Sequence, residues 1–284
     1  MTHTLADLLN LEELDVNLFR SRFHRENFRN TLFGGQVLGQ SLMAAAKTCP
    51  DRLPNSMHAY FLRPGNSETP VIYDVESVRD GAGFSARRVV ARQQGRPIFH
   101  MAASFHIKEA GYHHADPIPD GIPTPEELSN LRSINPQIGG AEISPGGHKT
   151  PFHFLSVEDN LFADPEPRPG KAHFWLKSAD LLPDKTVYHY CALAFASDLG
   201  LLATALLPHD TSLFEGKVMP ASVDHAMWFH TENFRVDDWL LYVTDSPWAG
   251  SARGFARGTI YNRDGQLIAS TAQEGLIRPM PAHQ

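Results

Sequence analysis

The sequence predicts an α+β chain of two repeats, each a central helix wrapped by a curved antiparallel sheet. Three observations carry this. Residues 37–46 and 188–207 are apolar on nearly all sides, as a helix enclosed by other elements must be. Each is followed by strand-like runs that close in a hairpin. The two hairpins superpose under a shift of 170 residues, which sets Gly95 on Gly265, Arg87 on Arg257, Ala86 on Ala256 and Ile98 on Ile268.

Taken in order, residues 5–19 place Leu5, Leu8, Leu9, Leu11, Leu14, Leu18 and Phe19 at helical spacing and predict one or two short helices. Gly34-Gly35 opens the first central helix, and Pro50 lies just past its end. Strands are expected over 58–62, 71–78, 84–92 and 98–107, the last two joined at Gln93-Gln94-Gly95-Arg96. Residues 109–150 are broken by Pro117, Pro119, Pro123, Pro125, Pro136 and Pro145, with a short helix near 125–132. A stretch this irregular marks a junction between units. The second long helix runs over 188–207 and stops at Pro208. Strands follow at 222–230, 239–244, 251–261 and 266–277, the last pair turning at Asn262-Arg263-Asp264-Gly265. The division is therefore 1–108 for the first repeat, 109–150 for the linker and 151–284 for the second repeat.

Composition excludes several classes. A net charge of −7 argues against a nucleic-acid partner, which needs a basic face. The only cysteines, Cys49 and Cys191, make no CxxC pair, so neither a zinc site nor a disulfide framework is expected and a cytoplasmic setting is. No run reaches the ~20 apolar residues of a membrane span. The first residues lack a signal-peptide pattern, and Ala282-His283-Gln284 is not a peroxisomal address. GxSxG and HExxH are absent. Gly81-Ala82-Gly83 precedes a strand, not a helix, and so is no dinucleotide loop.

An all-apolar helix inside a curved sheet is the hot-dog arrangement, and two units in one chain pair their sheets edge to edge. Leu32-Phe33-Gly34-Gly35-Gln36-Val37-Leu38-Gly39-Gln40 resembles the opening of the central helix in type II acyl-CoA thioesterases. His58-Ala59-Tyr60-Phe61-Leu62-Arg63-Pro64-Gly65, Ala196-Ser197-Asp198-Leu199, Asp224-His225-Ala226-Met227-Trp228-Phe229-His230, Ser251-Ala252-Arg253-Gly254-Phe255-Ala256-Arg257-Gly258 and Ala269-Ser270-Thr271-Ala272-Gln273-Glu274-Gly275 resemble further blocks in the same order. The resemblance implies a double hot-dog fold, hydrolysis of fatty acyl-CoA, and neither metal nor organic cofactor. It also implies a catalytic Asp, hydroxyl and Gln at Asp198 (early in the second central helix), Ser222 and Gln273. Ser222 stands where many relatives have Thr, which keeps the hydroxyl and loses a methyl.

Those residue types suit thioester hydrolysis. A carboxylate accepts a proton from water, and Ser and Gln each offer donor and acceptor atoms to hold it. Helix-start N–H groups serve a developing oxyanion. Taken singly, Asp198 reads as a helix cap, Gln273 as a cross-strand residue, and Ser222 carries no signal. Substrate contacts are expected from Gly34 and Gly35, where a thioester can approach closely, and from His58, Arg63 and Arg257, with Arg87, Arg88 and Arg253 as further candidates for the CoA phosphates. His58 and His225 occupy similar places and read either as a base or, preferably, as hydrogen-bonded strand-edge histidines. Two other functions stay open: an enoyl-CoA hydratase and a non-catalytic acyl-CoA binder. Exposed sheet edges suggest a homo-oligomer, dimer or tetramer, without membrane insertion.

Overall fold

A computed structural model describes residues 3–24, 31–134, 150–213 and 215–280. Pro136 and Pro145 of the expected linker, and the final Ala282-His283-Gln284, lie outside them. The strands form one 13-stranded sheet, and every pairing in it is antiparallel.

The first half comprises helix α1 (Leu5–Leu9), strands β1 (Glu12–Asp15) and β2 (Leu18–Arg20), helix α2 (Gly34–Lys47), and strands β3 (Leu53–Phe61), β4 (Ile72–Asp80), β5 (Phe84–Gln93) and β6 (Arg96–His106). After helix α3 (Pro125–Ile134), the second half holds β7 (Phe152–Ser156), β8 (Lys171–Ser178), helix α4 (Thr186–Ala196), a 3₁₀ turn at Leu202–Leu206, and strands β9 (Val218–Ser222), β10 (Asp224–Phe229), β11 (Leu240–Gly250), β12 (Arg253–Tyr261) and β13 (Leu267–Pro279). The halves meet where β3 pairs with β10, Met57 opposite Met227 and Ala59 opposite His225. Both helices lie on the same side of this seam and are buried along almost their whole length.

The helices touch backbone to backbone. A Cβ on Gly39 would lie 2.7 Å from the Cys191 carbonyl oxygen, and one on Gly35 would overlap the Phe195 carbonyl oxygen. Two glycines one turn apart thus set the helix separation, and the pairing is antiparallel: α2 begins where α4 ends.

Several expectations are corrected. Only Leu5–Leu9 of the N-terminal stretch is helical. Asn10 is extended and Asn17 takes φ 58°, so the chain instead adds β1 and β2 to the edge of β4, burying Phe19 and leaving Val16 exposed. Edge pairing outweighs the helical spacing of the leucines. The 188–207 helix is broken: α4 stops at Ala196, and Gly200 at φ +76° turns the chain into the 3₁₀ segment. Strands β7 and β8 have no counterpart in the sequence reading. The linker is partly ordered against the outer face of the second half, where Leu128 packs with Trp175, Leu241 and Tyr261 and the Trp175 indole donates to the Pro123 carbonyl at 2.9 Å.

The 170-residue shift holds for only one strand of each hairpin. Phe99 lies opposite Ala91 in the first and Ala269 opposite Ile260 in the second, so β6 and β13 are offset by 170 residues but β5 and β12 by 169. The counterpart of Arg257 is therefore Arg88, not Arg87. Each pairs with the acid directly across the strand: Arg257 with Asp245 at 2.6 Å, Arg88 with Glu76 at 3.5 Å. Arg87 points inward, 3% exposed, and holds the Thr48 carbonyl and hydroxyl at the end of α2. A one-residue slip exchanges the faces of a strand, and sequence matching is blind to it.

Candidate active site

Asp198 sits just past the C-terminus of α4, not early in the helix as expected, because α4 ends at Ala196 and Gly200, at φ +76°, turns the chain away. The antiparallel packing carries that end of α4 to the start of α2, where the Gly35 N–H donates to the Asp198 carboxylate. The first turn of α2 has no side-chain cap of its own, and Asp198 fills that role from the other half of the molecule. A Cβ on Gly34 would fall 2.7 Å from Asp198 Oδ2.

Ser222 reaches the same place through a bulge. Gly275 opposes Ser222 in β9, whereas Ala272 opposes Ala226 in β10, a register change of one residue at Val223. Without it, residues three apart on an extended chain would face opposite sides. With it, Ser222 and His225 both face the helices. The expected single strand over 222–230 is thus two strands, and Asp224 takes up the spare Glu274 N–H with its carboxylate at 2.6 Å.

Gln273 on β13 completes the cluster. Its Nε2 donates to Ser222 Oγ at 2.6 Å and to Asp198 Oδ1 at 3.2 Å, and the Ser222 hydroxyl faces Asp198 Oδ1 at 3.4 Å. Gln273 and His225 are buried, while Asp198 and Ser222 keep part of their surface open. The Asp198 carboxyl is nonetheless crowded by protein. Burial pushes its pKa up, and the nearby His225, the Gln273 amide, the Gly35 N–H and the Ser222 hydroxyl offset this in part. Burial pushes the His225 imidazole down, against the opposing pull of Asp198, Gln273 and Asp224. A carboxylate with raised basicity, flanked by two groups that donate and accept, is suited to hold and deprotonate a water molecule.

The structure brings Gly34, Gly35, Asp198, Ser222 and Gln273 together. It does not bring the other three expected contacts to them. His58 lies on the outer face of β3 with its ring edge-on to Trp228, centroids 5.2 Å apart, and so faces away from His225. Arg63 is exposed and donates to the Pro97 carbonyl at 2.7 Å. Arg257 is on the outer face in its ion pair with Asp245.

Behind the cluster lie His225, which the sequence reads as a base or a hydrogen-bonded histidine, and Ser197, Tyr242 and Thr271, to which it assigns no role. His225 Nδ1 is 2.9 Å from Gln273 Oε1, and its Nε2 is 2.9 Å from Ser197 Oγ. The Tyr242 hydroxyl donates to the Ser197 carbonyl at 2.9 Å and meets Thr271 Oγ1 at 2.8 Å. For His225 the signal is its place in the second repeat, similar to that of His58 in the first. Tyr242 carries none beyond strand alternation.

Two family models match the chain: "Acyl-CoA thioesterase N-terminal domain" over residues 24–106 and "Acyl-CoA thioesterase" over residues 160–276. Acyl-CoA thioesterase 2 of Haemophilus influenzae is 37% identical, covering 97% of this chain and 97% of its own length. Acyl-coenzyme A thioesterase 8 of Homo sapiens is 37% identical over 98% of this chain and 89% of its own. The crystal structure of an acyl-CoA thioesterase II from Mycobacterium marinum superposes with a TM-score of 0.78 at 37% identity, covering 99% of both chains. A hot dog fold protein from Alicyclobacillus acidocaldarius has the same TM-score at 19% identity and shares the fold. The chain belongs to the acyl-CoA thioesterase family and has a double hot-dog fold.

Proposed function

We propose that the chain hydrolyses fatty acyl-CoA to free fatty acid and CoA at the Asp198–Ser222–Gln273 cluster, through one activated water and no covalent intermediate. The observation that carries this is the convergence of Ser222 Oγ and Gln273 Nε2 on Asp198 Oδ1 beside the first turn of α2. Ser222 and Gln273 orient the water, and Asp198 takes its proton as the oxygen attacks the thioester carbonyl. The positive end of the α2 dipole stabilises the developing oxyanion. The intermediate collapses by breaking the C–S bond, and Asp198 returns the proton to the departing CoA sulfur. Gly34 keeps the space beside the Asp198 carboxylate free of a side chain, whereas the space at Gly35 is filled by the Phe195 carbonyl and the Phe33 ring.

The division into 1–108, 109–150 and 151–284 is supported by the separate matches of the two family models. A cytoplasmic location is supported by two free, buried cysteines. No helix among the described residues is long and apolar enough to cross a membrane. A homo-oligomer, dimer or tetramer, is supported by the half-exposed Tyr60 and Trp228 beside the seam.

The test is release of free CoA from a series of acyl-CoAs of different chain length, followed by thiol detection. Asp198→Ala is expected to lower kcat by about 10²–10⁴-fold, and an unchanged rate overturns the mechanism. Loss of enoyl-CoA absorbance without thiol release would establish a hydratase instead. Tight acyl-CoA binding without turnover would establish a non-catalytic binder.

A further inference from the structure

The Gln273 amide works only one way round. Its Nε2 faces two groups that accept, Ser222 Oγ at 2.6 Å and the Asp198 carboxylate at 3.2 Å. Turned over, it would set Oε1 against that carboxylate, two acceptors with no proton between them, and the water would lose its donor. Neither Ser222 nor Asp198 prevents this alone. A hydroxyl rotates to suit either end of an amide, and Asp198 accepts protons of its own during turnover.

The group that breaks the ambiguity lies behind. Gln273 Oε1 can only accept, and the atom 2.9 Å from it is His225 Nδ1, which must therefore carry hydrogen. The ring is fully buried, so no bulk water replaces the bond. Its other nitrogen lies 2.9 Å from Ser197 Oγ, and with Nδ1 protonated it takes the one Ser197 hydroxyl proton that the Ala194 carbonyl, also 2.9 Å away, would otherwise accept. Ser197 is held by the Tyr242 hydroxyl on its carbonyl, and Tyr242 by Thr271. The chain of bonds starts on β13 at Thr271 and returns to β13 two residues later at Gln273, passing through β11, the end of α4 and β10. Such a loop of neutral, mutually satisfied groups is stiff.

We propose that His225 is a positioning residue for thioester hydrolysis: its Nδ1–H clamps the Gln273 carbonyl oxygen, so that the amide N–H groups face Asp198, Ser222 and the attacking water. This rests on the Asp198–Ser222–Gln273 reading above. His225 touches neither substrate nor water and acts only through Gln273. Burial keeps the ring neutral, and that leaves a single tautomer compatible with the bond. Asp198 and Asp224 are the charged neighbours that oppose this.

The test compares three His225 variants of the full chain, alone and against Gln273→Leu and Asp198→Ala, with one spectrum. His225→Leu removes the donor at similar size and is expected to lower kcat about 10–10²-fold with KM within about two-fold. His225→Asn places an amide N–H where Nδ1–H stood and restores most of kcat. His225→Gln places it at the Nε2 position and does not. In a Gln273→Leu background, His225→Leu is expected to add less than a two-fold further loss, because the histidine has nothing left to orient. ¹⁵N NMR of the imidazole is expected to show the neutral Nδ1–H form. A full further loss in the Gln273→Leu background, equal rates for the Asn and Gln variants, or an Nε2–H ring would each overturn the proposal. If His225→Leu fails to fold, the Asn–Gln pair and the spectrum decide. Asp198→Ala abolishing turnover while His225→Leu leaves kcat intact sinks this proposal and keeps the three-residue site. Asp198→Ala without effect sinks the site itself.

Discussion

The backbone of Gly35 lies against the carbonyl oxygen of Phe195, so closely that a Cβ at Gly35 would overlap both that oxygen and the Phe33 ring. This contact joins the two halves at the point where the Gly35 N–H meets Asp198.

Gly35→Ala must therefore push the helices apart or strain α2, since a backbone oxygen cannot swing aside. The expected cost is about 1–3 kcal/mol of stability, seen as a Tm loss of about 2–4 °C per kcal/mol, together with a fall in kcat. Gly111→Ala, with nothing within 4 Å of the added carbon, is the control and is expected to change neither. Thermal unfolding and CoA release check both.

Ser222 contributes its hydroxyl and nothing larger. Ser222→Ala is expected to lower kcat by about 10²-fold, the scale of losing one preorganised donor. Ser222→Thr keeps the oxygen and restricts χ1, and its kcat is expected to stay within about three-fold of the parent. A rate series on the two variants decides, and equal losses would remove Ser222 from the mechanism.

The rate should fall in acid. In the proposed mechanism Asp198 acts as the carboxylate, and burial raises its pKa above the ordinary 3.8. Activity is then lost as pH drops through a midpoint higher than that of an exposed Asp, and is flat above it. A kcat profile against pH shows the limb, and Asp198→Asn is expected to abolish it together with most of the rate.

The same shift predicts a trade of stability for activity. A carboxyl with a raised folded-state pKa favours folding while protonated, below its unfolded value of 3.8, and this advantage is lost as pH rises through the folded value. At neutral pH the anion in its crowded site is a burden. Asp198→Asn is expected to raise Tm at pH 7–8 and to lose that advantage as pH falls toward about 4. Parallel melts of the two proteins across that window are the check.

Much of this was legible in the chain, and the exceptions share a cause. The order of helix, strands and hairpin survives because it rests on periodicity and turn residues, as at Asn262-Arg263-Asp264-Gly265. Asp198, Ser222 and Gln273 were named through likeness to a family, not through their own patterns, and the fold brings the three side chains together. What failed depends on single residues that change direction. Gly200 ends a helix that apolar periodicity extends to Leu207. The bulge at Val223 turns Ser222 inward. One extra residue between β12 and β13, relative to the first hairpin, shifts Arg257 from the place of Arg87 to that of Arg88. Faces of strands hang on counts of one, and a period of two carries no memory of where the count began. The outward placement of His58 follows from the same rule, for its buried neighbours Met57 and Ala59 leave it no other side.

The continuous sheet through β3 and β10 has a consequence for how the enzyme behaves on dilution. Two separate copies of such a unit would have to find each other before α2 of one met the carboxylate of the other, and activity per molecule would collapse below their dissociation constant. Here the segment between the halves holds them at an effective concentration of order millimolar. Each polypeptide carries Asp198, Ser222, Gln273 and the start of α2 together, and on the proposed mechanism its specific activity is expected to be independent of dilution at this level. Covalent joining also frees the halves from having to be alike. One supplies a helix start, the other an acid, a hydroxyl and an amide, and neither is obliged to keep what its counterpart provides.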